Sequence, residues 1–109
     1  MPRLTAGFWV HAYLRRLTLA NISAFIVHKG DETAGAVLVK SNPLTGSATL
    51  FQRVYNAEGA RIWAELASGL EPEMDQIIAK QRGFDPDIWV IEVEDRMGRT
   101  LLDEEGLFG

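Results

Sequence analysis

The segment Phe84-Asp85-Pro86-Asp87-Ile88-Trp89-Val90-Ile91-Glu92-Val93-Glu94-Asp95-Arg96 restricts the fold of this chain more than any other stretch. Asp85-Pro86-Asp87 is turn chemistry, and the run behind it is the strongest strand signal in the sequence. Trp89, Ile91 and Val93 share one face. Ile88 and Val90 begin the other, which becomes Glu92 and Glu94. One face is core throughout and the second turns acidic halfway, so the segment reads as a buried strand entered from a turn.

The rest of the chain supplies partners for that strand. Phe8, Trp9, Ala12, Tyr13, Leu17 and Ala20 recur at helical spacing over residues 6 to 20, with Thr5 as N-cap. Ala24 to Lys29, Ala34 to Lys40 and Ser47 to Tyr55 read as strands, with turns at Gly30-Asp31 and at Asn42-Pro43-Leu44-Thr45-Gly46. Short connections favour an antiparallel meander. Residues 60 to 67 suit a fourth strand or a helical turn, and the alternation favours the strand. Residues 71 to 82 form a second helix, with Pro72 near its start, acidic residues in its first turn and Gly83 ending it. Met97-Gly98 is a turn, and Thr100 to Asp103 would add a short edge strand. The expected architecture is a single α+β domain over residues 1–109: an antiparallel sheet of four or five strands, an N-terminal helix, and a second helix before the last long strand. Both helices are expected on one face.

At 109 residues such a chain can bury one core without staples. The formal charge of -4 argues against a dedicated nucleic-acid binder. The chain has no cysteine, which removes disulfide, thiol and cysteine–zinc chemistry. The N-terminus lacks a signal-peptide pattern, and its apolar stretch is interrupted by His11, Arg15 and Arg16. The expectation is a cytoplasmic protein with no membrane partner.

The pairing of Phe8-Trp9-Val10-His11-Ala12-Tyr13-Leu14-Arg15-Arg16 with the Phe84 to Arg96 segment, with Ala34-Gly35-Ala36 between them, resembles a family of small bacterial proteins known only as a domain of unknown function (number 1491). The resemblance runs from about residue 5 to residue 103. It implies a free-standing one-domain bacterial protein. It implies no activity, substrate or cofactor, and it assigns no catalytic residue.

Candidate chemistry is sparse. His11 and His28 lie on different elements with no metal-ligand spacing between them, so no metal and no cofactor is expected. No glycine loop cradles a phosphate, Gly30 and Gly46 reading as hairpin glycines, and no nucleophile elbow is present. Glu92 and Glu94 project from one strand face about 6.6 Å apart, a separation at which two carboxylates can flank a reacting bond; alternating glutamates on a solvated face are the plainer reading. Arg16 points into the apolar side of the first helix, and an unpaired buried charge is costly. It is therefore expected to face the Phe84 to Arg96 segment, tied to Asp85, Asp87 or Asp95, with Trp9 or Trp89 able to stack on it; otherwise the helix bends early and Arg16 lies outside. These considerations nominate Tyr13, Arg16, Asp85, Asp87, Trp89, Glu92, Glu94 and Asp95 as a candidate cluster. The first helix is apolar almost all round and the sheet leaves a free edge, which points to association. The leading function is a non-catalytic protein-interaction or regulatory module, a homodimer or a partner of another protein. The alternatives are a small-molecule-binding protein or enzyme around Tyr13, Arg16, Glu92 and Glu94, and nucleic-acid binding through Arg15, Arg16, Lys29, Lys40 and Arg53.

Overall fold

A computed structural model describes residues 5–103. In chain order the elements are α1 (Ala6–Leu19), β1 (Ser23–His28), β2 (Val37–Asn42), β3 (Ser47–Tyr55), β4 (Arg61–Leu70), α2 (Glu71–Phe84) and β5 (Trp89–Glu94). Of residues 60 to 67, all from Arg61 onward are strand, within the longer β4. Thr5 caps α1, its Oγ1 accepting from the Phe8 amide at 3.3 Å. Leu70 offers no capping side chain to α2; Glu73 instead accepts from the Leu70 amide at 3.3 Å.

The five strands form one sheet in the order β1-β5-β2-β3-β4. β2, β3 and β4 make the expected meander, but β1 does not join it. β5 inserts between β1 and β2, antiparallel to the first and parallel to the second. The strand pattern explains the insertion. Trp89, Val90, Ile91 and Val93 are all 0–1% exposed, which a strand achieves only with a neighbour on each edge and cover on each face. The connection 29–36 therefore spans two strand spacings, about 10 Å, and is not a hairpin turn.

The helices lie on opposite faces, which corrects the one-face expectation. Trp9, Val10, Tyr13 and Leu17 of α1 pack with Ile22, Val39, Trp89, Ile91 and Val93. Met74 and Ile78 of α2 pack with Leu38, Ala48, Leu50, Ile88 and Val90. Since β5 is apolar on both sides at its start, each side acquires a helix. The helices are also offset: α1 contacts β1, whereas α2 contacts β3 and β4. Each therefore covers only part of the sheet, and among the described residues the rest of each face has no helix over it. The part of α1 that the sheet misses meets Leu101 and Leu102, while Phe8 and Leu19 stay exposed.

Several boundaries differ from expectation. β2 starts at Val37, because Gly35 lies tight against the Asp31 and Asp87 backbone. Gly83 lies within α2, which runs on to Phe84. Residues 100–103 form no strand, because the Tyr13 hydroxyl and the core draw them under α1. Gly30 serves close approach: a Cβ there would stand against the Asp87 carbonyl and 2.7 Å from Trp89 Cδ1. Gly30→Ala is expected to lower stability by about 1–3 kcal/mol through this overpacking. Gly83→Ala, with nothing near its would-be Cβ, is expected to raise stability by about 0.5–1 kcal/mol. Urea midpoints of the two variants moving in opposite directions check this.

Candidate functional site

The nominated residues do not share one pocket. Tyr13 and Trp89 are buried on the α1 face. Arg16 sits half-buried in the last turn of α1. Glu92 and Glu94 are in register with Lys40 and Asn42 on the α2 face, across the sheet from Tyr13. Asp85 and Asp87 shape the turn into β5: Asp85 Oδ1 accepts from the Asp87 amide at 3.1 Å, and the Asp87 carbonyl accepts from the Asp31 amide at 2.9 Å. The Trp89 indole N–H donates to the Asp31 carbonyl at 2.7 Å. These three residues tie the 29–36 connection to the start of β5.

Glu92 belongs to a buried polar cluster. Lys40 Nζ lies 2.8 Å from Glu71 Oε1, 2.9 Å from Asp75 Oδ1 and 3.4 Å from Glu92 Oε1. Asn42 Nδ2 donates to Glu71 at 3.1 Å and to Glu92 at 3.0 Å. Burial by itself lowers the Lys40 pKa, but the hydrogen bonds to Glu71 and Asp75 and the field of Glu92 outweigh it, and the net effect is upward. Three carboxylates match the three donors of a buried ammonium. The cluster is therefore a tie between β2, β5 and α2, and Lys40 is too deep to touch a nucleic acid, which corrects its place among the basic candidates.

A different site forms on the α1 face, beyond the part that α1 covers. The hairpin register sets Arg53 opposite Trp63 and Tyr55 opposite Arg61. The Arg53 guanidinium lies 5.0 Å from the Trp9 ring and 5.2 Å from the Trp63 ring; the two indoles are 5.4 Å apart, and Trp9 stacks on Tyr13 at 4.9 Å. Facing this aromatic wall is the 97–103 loop. Between them lies a cleft of about 830 Å³, lined among others by Phe51, Arg53, Arg61, Trp63, Arg99 and Thr100.

The loop is fixed by two of the nominated residues. Asp95 accepts from Arg99 Nε and Nη2, each at 3.0 Å, and from the Arg99 amide at 2.8 Å. The Arg99 hydrogen bonds hold the Asp95 carboxyl below its ordinary range. The Tyr13 hydroxyl donates to the Thr100 carbonyl at 2.7 Å, and burial pushes its pKa up. Leu102 anchors the far end in the α1 core. Positive φ at Gly98 and Leu101 lets the chain turn between these anchors.

Arg61, Trp63 and Arg99 escape a reading of the sequence, and Arg53 enters it only as one of five scattered basic residues, because the four come from three elements. The usable signal is the alternation Phe51, Arg53, Tyr55 followed, after a Gly-containing turn, by Arg61 and Trp63. Among the described residues no group of three His, Asp or Glu side chains forms a metal site, and no helix is long and apolar enough to cross a membrane.

Solved structures resemble this fold over nearly its full length. A crystal structure of a DUF1491 family protein from Caulobacter crescentus is 41% identical, with a TM-score of 0.86, covering 94% of this chain and 97% of that one. An NMR structure of a DUF1491 family protein from the same organism is 40% identical, with a TM-score of 0.81 and coverages of 95% and 96%. The solution structure of a protein from A. tumefaciens is 28% identical, with a TM-score of 0.77 and 93% of each chain covered. No curated protein matches the chain. The family model described as "Protein of unknown function (DUF1491)" matches residues 4–103, and the chain belongs to that family, whose function is unknown.

Proposed function

We propose that this chain is a non-catalytic recognition module whose working surface is the cleft between the β3–β4 hairpin and the 97–103 loop. The observation that carries this reading is the investment in the cleft walls. Tyr13, Asp95 and Leu102 fix one wall from three directions, and mutual contacts of Trp9, Arg53 and Trp63 fix the other. A preformed aromatic and polar concavity is the usual form of a binding site. Amide-shift mapping against a library of fragments and short peptides tests the reading. Hits are expected to concentrate at Arg61, Trp63 and residues 98–100. Hits confined to the Phe25–Val27 region, or a chemically altered ligand in the mixture, would overturn it.

A second reading, self-association, is favoured by the outer edge of β1, which no strand among the described residues pairs with. The strand Ser23-Ala-Phe-Ile-Val-His28 carries no acidic, lysine or proline residue to discourage pairing, and Phe25 and Val27 are 44% and 42% exposed beside that edge. Sedimentation equilibrium is expected to give a dimer mass that Phe25→Lys returns to one chain. A single-chain mass for the wild type at high concentration removes this reading.

A further inference from the structure

We infer that the cleft binds the chain's own segment Glu104-Glu105-Gly106-Leu107-Phe108-Gly109 through Leu107 and Phe108, so that an outside ligand must displace it. The inference rests on the cleft being the working surface. Position is the first argument. Leu101, Leu102 and Asp103 all line the cleft, and Leu102 is held in the α1 core. The chain therefore passes residue 103 at the border of the cleft, directly behind a fixed anchor. Leu107 is four residues further on, and four residues span at most about 14 Å. A cube with the cleft's volume of about 830 Å³ has an edge of about 9 Å. Leu107 and Phe108 can thus reach the whole cleft.

Apolar chemistry is the second argument. Among the described residues the lining is left with uncovered apolar surface. Met97 and Ile62 are 80% and 41% exposed, and Phe51, Trp63 and Leu101 are only partly buried. A leucine and a phenylalanine side chain gain free energy by leaving water for such a surface. They are the two large apolar residues beyond Asp103, and Gly106 before them lets the chain turn in either hand.

The tether makes a weak contact sufficient. A segment attached this closely has an effective concentration of millimolar order. An affinity of about 0.1 mM for the free segment then keeps about nine in ten clefts filled, and any competing ligand binds about tenfold more weakly than it does to an empty cleft.

The test uses the full chain carrying Leu107→Ser and Phe108→Ser together, followed by amide shifts and indole fluorescence. Relative to wild type, shift changes are expected at Arg61, Trp63 and residues 98–100, with the amides of α2 unchanged. The blocked peptide Glu-Glu-Gly-Leu-Phe-Gly is expected to return those amides saturably toward their wild-type positions. It is expected to bind wild type about tenfold more weakly, and the same peptide with serine at both apolar positions is expected not to bind. Shift changes confined to residues 104–109, or equal binding of the peptide to both proteins, overturn the inference; fragment hits at Arg61 and Trp63 then leave the cleft reading standing. Peptide shifts and fragment hits confined to the Phe25–Val27 region overturn both.

Discussion

Lys40→Ala is expected to destabilise the protein by about 3–5 kcal/mol, because it strands a buried carboxylate. Glu92 is 9% exposed and would keep only Asn42 as a polar partner, while Glu71 and Asp75 can turn to solvent. Lys40→Met/Glu92→Leu removes both charges and is expected to recover most of that loss, since a packed apolar pair replaces a buried ion pair at little cost. Chemical denaturation of the three proteins measures this, and a Lys40→Ala loss below about 1 kcal/mol, the size of a surface pair, contradicts it. The pH dependence has a fixed sign. The folded Lys40 pKa lies above its ordinary 10.5, so the folded chain binds the proton more tightly than the unfolded chain does. Its contribution is complete below pH 10.5 and is lost as pH rises through the folded value. Tyr13, raised from 10.0 by burial, acts in the same direction because its neutral form is the one that folds. Stability is thus expected to fall above about pH 10, less steeply in Lys40→Met/Glu92→Leu than in the wild type.

Trp89→Ala is expected to cost about 3–5 kcal/mol. The indole is fully buried in the α1 core, and its N–H holds the Asp31 carbonyl. Loss of that bond also frees the 29–36 connection, so amide exchange at residues 31–35 should accelerate beyond the global change. Trp89→Phe keeps most of the volume and is expected to cost less while still speeding exchange there. Unchanged exchange in both variants would show that the connection is held by other contacts.

The sequence displayed β5 clearly because its signal is local. Alternation gives Trp89, Ile91 and Val93 one face and Val90 and Glu92 the other, and the two faces enter different cores, the first with α1 and the second with α2. The elements and their order were legible for the same reason. Position within the sheet was not. Whether β1 pairs with β2 or admits β5 between them depends on which strand most needs two neighbours, a comparison across the chain that short connections conceal. Placing both helices on one face failed at the same step, because Ile88 and Val90 need a cover separate from the one over Trp89. The nominated cluster was half informative. Glu92 is architecture, held by Lys40 and Asn42. Tyr13 and Asp95 were found on other grounds and prove to position the cleft loop. The residues facing the cleft were hidden because Arg53 and Trp63 become neighbours only through the β3–β4 register.

Recognition is proposed to reside in the cleft, with the Lys40 cluster serving as structure. A fragment screen by amide shifts on two folded variants tests it most directly. Lys40→Met/Glu92→Leu is predicted to retain the wild-type hits at Arg61, Trp63 and residues 98–100, and Arg61→Glu is predicted to lose them. Hits that survive Arg61→Glu and vanish when Lys40 and Glu92 are replaced would contradict the account.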